Sequence, residues 1–396
     1  MNDSSRPLDG VTVLALEHAI AAPFCTRQLA DLGARVIKVE RPGGGDFARA
    51  YDERVRGLAS HFVWTNRGKE SLTLDLKHPE AATVLERLLA DCDVLVQNLA
   101  PGAAARLGLS FETLHARHRR LIVCDISGYG DSGPYRDKKA YDLLIQSEAG
   151  FLSVSGLADE PAKAGCSIAD IAAGMYAYSG ILAALLQRAR TGEGARVEVS
   201  MLECMAEWMG YPLYYAFDGA PPPPRSGAAH ATIYPYGPFA AGDGKVVMLG
   251  LQNEREWAVF CEQVLRRPEL IDDPRYASTS KRSAARDEVK ALIEHVFATL
   301  GVEQVIARLD AAGIANARMN DMHDLWRHPQ LRARGRWATV DSPVGRLPAL
   351  LPPALPSTAT ARMAPIPAVG EHTQAILARI GYSPDDIARL RAARAV

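Results

Sequence analysis

The stretch VTVLALEHAIAAPFCTRQLADLGARVIKVE, residues 11–40, decides the fold class. It opens on the apolar, β-branched run VTVLAL (11–16), passes through AAPFCTRQLADLG, helical in pattern and closed by Gly33, and resumes as the strand-like ARVIKVE (34–40). A strand, a helix of about a dozen residues and another strand make a βαβ unit. The rhythm recurs downstream, with strands predicted at SLTLDL (71–76), DVLVQNL (93–99) and RLIVCDIS (120–127), and helices at PEAATVLERLLADC (79–92) and SFETLHARH (110–118). Such alternation predicts an α/β fold, a parallel sheet with helices on both faces. The first strand–helix junction reads LEHAIAAPF, without the G-x-G-x-x-G that lets backbone approach a pyrophosphate. Glu40, at the end of the second strand, stands where a ribose-binding acid would, but without those glycines the chain does not read as a dinucleotide enzyme.

The 396 residues exceed one ordinary core and suit two domains. With 48% hydrophobic and 23% charged residues the composition is that of a globular protein. A formal net charge of -1 gives no global field toward nucleic acid or anionic lipid, so neither is expected as a partner and any anionic ligand must be met by local cations. The cysteines (Cys25, Cys92, Cys124, Cys166, Cys204, Cys261) contain no C-x-x-C pair, and His18, His61 and His230 lack metal-ligand spacing. No metal, a reducing compartment and a cytoplasmic location are the expectation. MNDSSRPLDG carries no secretory pattern, and the apolar stretch around YSGILAALL reads as too short to span a bilayer.

From 170 to about 190 the pattern is that of a buried helix, apolar on several faces, and TGEGARVEVSM (191–201) follows as a turn and a strand. GAPPPPRSG (219–227) is too stiff for helix or ladder and marks a boundary. The expected layout is a large domain over 1–205, a Pro-rich linker over 206–228, a small mixed α/β domain over 229–330, and a returning linker and C-terminal segment over 331–396.

Several cations fall just after strands. Arg41 precedes three glycines in VERPGGGD (39–46), and Lys69, Lys77 and Arg106 flank the next two strands. Each reads singly as a solvated surface charge. Together they fall on the carboxyl edge of a parallel sheet, where α/β proteins bind ligands, and suggest a polyphosphate. RHRR (117–120) closes a helix before a strand, and its charges offset the helix dipole. Asp170 lies among small residues at the start of the long helical stretch. It reads as a helix cap worth about 1 kcal/mol, or as a nucleophile that the helix N-terminus keeps ionised; the two roles are compatible.

PLDGVTVLALEHAIAAP (7–23), LGARVIKVERPGGGD (32–46), NRGKESLTLDLKHPE (66–80), LVQNLAPGAAARLGL (95–109), ISGYGDSGPY (126–135), IADIAAGMYAYSGILAALLQR (168–188), TGEGARVEVSM and GEHT (370–373) together resemble the class III CoA-transferases in order and spacing. The resemblance implies a Rossmann-like large domain, a small domain and two chains interlocked like linked rings. It implies coenzyme A as substrate, carried as acyl-CoA, and a carboxylic acid as second substrate. On it, Asp170 matches the catalytic aspartate, which would form an anhydride and then an aspartyl-CoA thioester. Arg41, Leu74, Asp75, Leu76, Lys77, Asn98, Arg106, Lys139 and Tyr141 match positions lining the CoA site. His18, Ile20, Ala21 and His230 are expected to meet substrate, with main-chain N–H groups near Ile20 and Ala21, or in the small-domain loop, as oxyanion donors. Arg27, Arg49 and His230 are candidates for the distal carboxylate of a dicarboxylate such as succinate, itaconate, malate or citramalate.

The sequence departs from the pattern in places. Ile20 replaces a Gln of the formyl-CoA-using members, and RSGAAHATIYPYG stands in place of their glycine-rich lid. The related acyl-CoA racemases place a His where this chain has Tyr141, before Asp142, and a phenol titrating near 10 is a poor base at neutral pH. Transfer is therefore expected over racemisation of a 2-methylacyl-CoA, with a catalytically silent CoA-binding protein as the other alternative.

Overall fold

The computed structural model describes residues 6–396, which form two compact units. The first comprises residues up to Ala149, Ala164–Met209 and Gln330–Val396; the second comprises Gly150–Lys163 and Gly210–Pro329. The segment 206–228, expected to be a linker, is thus divided, and its proline run 221–224 lies inside the second unit.

The first unit holds a six-stranded parallel sheet of β1 (Thr12–Leu16), β2 (Arg35–Glu40), β3 (Lys69–Thr73), β4 (Val94–Gln97), β5 (Ile122–Ser127) and β6 (Arg196–Ser200), in the order β3-β2-β1-β4-β5-β6. This is the doubly wound order, whose chain direction reverses between β1 and β4. Central strands buried on both faces must be apolar throughout, and β1 is: Val13 to Leu16 are all buried, with Val13 in register with Val36 on one side and Val94 on the other.

The predicted strand 71–76 is shifted. Pairing begins at Lys69 and stops at Thr73, because Asp75 folds its carboxylate back onto the N–H of Lys77 (3.0 Å) and turns the chain away. One face of the sheet is covered by the helix Ala81–Leu89, whose Val84, Leu85, Leu88 and Leu89 are buried against Leu14, Ile37, Leu72 and Leu95. Each contributes about 2 kcal/mol by leaving water. Ile376, Leu377, Ile387 and Leu390 join the same core, so the end of the chain returns over the sheet.

That return also closes the open edge of β3. Gly370 N–H donates to Ser71 Oγ (2.8 Å), His372 N–H to Ser71 O (3.0 Å) and Thr73 N–H to Thr373 Oγ1 (3.0 Å), while Ser71 N–H donates to His372 Nδ1 (3.2 Å). GEHT thereby occupies polar groups that an uncovered edge would offer to another chain.

The opposite face carries the first helix (Ala21–Asp31) and the long helix (Ile168–Thr191), packed together. Gly174 permits the approach: a Cβ there would lie 2.7 Å from Ala21 O and 3.0 Å from the Phe24 ring. The long helix is not buried all round as its pattern suggested. Ala169, Ala172, Ala173, Ala177, Ile181 and Ala184 are buried, while Met175, Tyr176 and Leu186 are exposed. Its 24 continuous residues also exceed the short apolar run read from the sequence, and by length and hydropathy alone they would cross a membrane.

The second unit has an antiparallel sheet of β7 (Tyr236–Ala240), β8 (Val246–Gly250) and β9 (Ala315–Arg318) against a core that includes Phe239, Val247, Trp257, Phe260, Phe297 and Leu309. The fully buried Arg282 guanidinium donates to Tyr276 O (2.8 Å), Tyr234 O (3.3 Å) and Glu254, which accounts for a charge in that interior.

Candidate active site

The carboxyl ends of β1 to β5 deliver the site of the first unit. After β1 the chain runs Glu17, His18, Ala19 and Ile20 into the first helix. Ala19 adopts φ 63°, a left-handed conformation uncommon for a residue with a Cβ, and two side chains hold it there. Asp46 Oδ1 accepts its N–H (3.2 Å). From β4, Asn98 clasps its neighbour, accepting from His18 N–H (3.0 Å) and donating to His18 O (2.9 Å). The clasp spans β1 and β4, where the sheet reverses direction and ligands bind. The first helix has no side-chain cap at Ile20, which leaves its opening N–H groups without a capping partner there.

Beneath this turn lies a buried charge network. Lys69 Nζ donates to Glu17 Oε1 (2.6 Å), Lys38 Nζ to Asp46 Oδ2 (2.8 Å), and Lys38 also faces Glu17 at 3.4 Å, all with side chains out of solvent. Thr26 completes Glu17 with a 2.6 Å bond. Burial alone would raise the Glu17 carboxyl, but Lys69 and Lys38 outweigh it and hold the group below its ordinary range. Burial brings Lys69 down to about 8 against the pull of Glu17.

Asp170 sits in the first turn of the long helix, one turn before Gly174 and therefore on the face that meets the start of the first helix. Burial, and then the neighbouring Asp142, push its carboxyl up to about 7. Two expectations are corrected. Asp170 does not cap its helix, because the cap is Asp142, whose Oδ1 accepts the N–H groups of Ala169 (2.8 Å) and Asp170 (3.5 Å). Nor does the helix terminus keep Asp170 fully ionised at neutral pH, since desolvation and then a like charge push its carboxyl up to about 7. The Tyr51 phenol, pushed up to about 12 by burial and by the acids Asp46 and Asp170, has Asp170 and Tyr141 in its electrostatic surroundings. A ring series leads from His18 through Phe47 (4.9 Å) and Tyr51 (5.7 Å) to His61 (5.4 Å). Burial lowers His18 below its ordinary value, partly opposed by Asp46.

Of the expected CoA-lining residues, Arg41, Lys77, Lys139 and Tyr141 are exposed on the connections after β2, β3 and β5, and Arg106 is exposed at the end of the short helix Ala103–Arg106 after β4. The four cations among them form no ion pair with other described side chains. Leu74 is fully buried in the core, leaving only its main chain for a ligand, and Leu76 packs beside it. Asp75 is turned to its own loop and Asn98 to the His18 main chain, as described.

Lys69, Arg27 and Arg49 do not serve as ligand cations. Lys69 is committed to Glu17; Arg27 is buried on Asp31 (2.7 Å), which Arg67 also grips at 2.8 Å; Arg49 is bound to Glu40 (2.8 Å). The last pair explains Glu40, whose carboxyl Arg49, Lys38 and Ser71 together hold near 2 against the cost of burial. His230 belongs to the second unit, where its Nδ1 accepts from Ile233 N–H (3.0 Å) and Thr232 N–H (3.2 Å) and its ring stacks on Tyr236. RHRR is structural, with Arg117 and His118 on Glu86, Arg119 on Glu193 and Arg120 on Gly192 O. Among the described residues no group of three or more His, Cys, Asp and Glu is placed to hold a metal.

Sequence reasoning passed over Glu17, Lys38, Asp46 and Asp142. Glu17, Lys38 and Asp46 stood inside quoted motifs, and the signal that marks them is a charge set among residues that must be buried; Asp142 figures only as the residue after Tyr141.

A doubly wound sheet with a desolvated acid above its switch point and unpaired cations along its carboxyl edge is an arrangement for acyl transfer from a phosphorylated carrier. The chain matches the profile of CoA-transferase family III over residues 8–373, and it belongs to that family; it is a class III CoA-transferase, an enzyme that works on CoA thioesters. It is 34% identical over 382 residues to the succinyl-CoA:glutarate CoA-transferase of Mus musculus, covering 96% of this chain and 87% of that one. With the succinyl-CoA–D-citramalate CoA-transferase of Chloroflexus aurantiacus it shares 32% identity over 397 residues, covering 99% and 98%. Its fold matches the crystal structure of a CAIB/BAIF family protein from Brucella suis with a TM-score of 0.83 at 34% identity, covering 95% of this chain and all of the other.

Proposed function

We propose that this enzyme moves CoA from a dicarboxylic acyl-CoA such as succinyl-CoA to a second short dicarboxylate of the glutarate, citramalate or itaconate kind, through covalent intermediates on Asp170. The observation that carries the reading is the Asp170 carboxyl, pushed up to about 7 in a half-buried pocket. A carboxylate that is poorly solvated is a stronger nucleophile, and acylation removes its charge, so the burial that destabilises the free anion favours its conversion to a neutral acyl derivative. The Asp170 carboxylate attacks the thioester carbonyl and expels CoA thiolate, leaving a mixed anhydride. The thiolate then attacks the aspartyl carbonyl of that anhydride and frees the donor acid, which leaves an aspartyl-CoA thioester. The incoming carboxylate reverses both steps and departs as the new CoA ester. The opening N–H groups of the first helix stabilise each tetrahedral oxyanion, and Arg41, Lys77, Arg106 and Lys139 meet the phosphates of CoA.

The names of the relatives support a dicarboxylate pair, and the buried fates of Arg27 and Arg49 leave Arg41 and His61 as the positive or protonatable groups near the His18–Tyr51 ring series. We also propose that the enzyme works as an interlocked dimer in the cytoplasm. Exposed Met175, Tyr176 and Leu186 in the first unit, and Leu213, Tyr214 and Phe217 in the second, are apolar surface that a second copy would cover.

Incubation with succinyl-CoA and a panel of mono- and dicarboxylates, followed by mass spectrometry of the CoA esters, tests the reading. New esters are expected for short dicarboxylates and not for acetate or formate. Deuterium uptake at the α-carbon of a 2-methylacyl-CoA without exchange of CoA would replace the reading with racemisation.

A further inference from the structure

Asp142 opens the helix Asp142–Glu148 and reaches the head of the long helix, 28 residues further along the chain. Ser167, at the N-cap position of the long helix, makes no capping bond. Asp142 does so instead, through the Oδ1 bonds to Ala169 and Asp170 N–H. Its Oδ2 accepts from Gln146 Nε2 (2.7 Å), and the fully buried Gln146 is anchored in turn by Ala164 N–H on Oε1 (2.9 Å). Every acceptor in this relay is used, which fixes the carboxylate in one orientation.

A serine or asparagine would cap the helix equally well. What the aspartate adds is charge, placed against the one carboxyl on which the chemistry depends. The titratable groups that interact with Asp170 are Asp142, at the start of its helix, and, from the turn after β2, Tyr51, which also has Asp46 and Tyr141 in its surroundings. Asp142 is the charged group that bears directly on Asp170.

We propose that Asp142 is the positioning residue of the nucleophile: it fixes the Ala169–Asp170 main chain through one oxygen and places a second carboxylate beside the Asp170 carboxyl, disfavouring the free carboxylate relative to its acylated form. The inference rests on the reading of Asp170 as nucleophile. Asp142 touches no reacting atom, and it acts through the ionisation and placement of its neighbour. Without this charge the Asp170 carboxylate persists to lower pH and is a weaker nucleophile.

The test compares wild type with Asp142→Asn, which keeps the shape and one acceptor and removes the charge. Two readouts are taken. One is the acid limb of kcat/KM with succinyl-CoA and glutarate. The other is the titration of the Asp170 side-chain carbon in protein labelled with [γ-13C]aspartate, assigned by its disappearance in Asp170→Asn. Both midpoints are expected to move to lower pH by about one pH unit, with lower kcat on the plateau. A purely structural cap would lower the melting temperature and leave the midpoints where they are, and unmoved midpoints in a folded D142N protein overturn the proposal.

Should D142N fail to fold, the double variant D142N/Q146E restores the relay, since the new carboxylate accepts from both the new amide and Ala164 N–H. It moves the charge one side chain away, and a smaller shift in the same direction is expected. Full transfer activity in Asp170→Asn would sink the nucleophile reading instead, while the carbon titration would still report on Asp142.

Discussion

Asp170 is a residue whose usefulness and stability oppose one another. In the unfolded chain its carboxyl ionises near the ordinary 3.8, and in the fold near 7. Folding therefore carries no penalty from it below about pH 4, an increasing one as pH rises, and the full one above 7, where the gap is worth up to about 4 kcal/mol. Asp170→Asn removes that penalty. The variant is expected to melt several degrees above wild type at pH 8 and level with it at pH 4, while transfer falls by at least about a thousandfold. A melting temperature at pH 8 that stays the same or falls would show that the carboxyl is better solvated than its surroundings suggest. Wild-type kcat/KM is expected to rise through pH 7 to a plateau as the nucleophile ionises, read from a profile with a non-ionising acyl-CoA donor.

Two elements place that residue, the first helix and the long helix, and their contact depends on a side chain that is absent. At Gly174 any Cβ would strike the Ala21 carbonyl, which is backbone and cannot yield as a flexible side chain would. Gly174→Val is expected to push the helices apart and destabilise the first unit by about 1–3 kcal/mol, measured by denaturant midpoint, with kcat reduced as Asp170 moves from the N–H groups of the first helix. The buried network below behaves differently. Lys38→Met strands Asp46 and part of Glu17 without a partner, at an expected cost of about 3–5 kcal/mol, and frees the N–H clasp on Ala19. A variant as stable as wild type would mean that water reaches these carboxylates. At this scale the sequence was partly readable. Strand and helix periodicity located β1, β2, β4 and β5 within a residue or two, because burial on both faces leaves a continuous apolar run. The buried ion pairs were not readable: Arg27 stands four residues before Asp31 on one helix but nothing local marks that pair as buried, and Arg49 and Lys69 look like surface cations until the fold brings Glu40 and Glu17 against them. Asp170 was found through its small neighbours, but its protonation depends on Asp142, which no local spacing connects to it.

At the scale of the whole molecule, the α/β class and the parallel sheet followed from alternation alone, and the family from motifs spread along the chain. The division into units did not, because the segment 150–163 joins the second unit through contacts that composition does not mark, such as Arg225 on Leu157 O (2.8 Å). The exposed apolar residues of both units predict self-association. Light scattering is expected to give twice the chain mass at micromolar concentration, and a monomer that retains full activity would remove the interlocked dimer. The closure of β3 by GEHT has a further consequence, which concerns synthesis. Ser71 finds its partner about 300 residues downstream, so on the ribosome this margin of the sheet stays bare through most of translation. Contacts of such separation form late, and the nascent chain is exposed to misassembly for most of its time at the exit tunnel. The GEHT segment acts as the latch that ends this vulnerable interval.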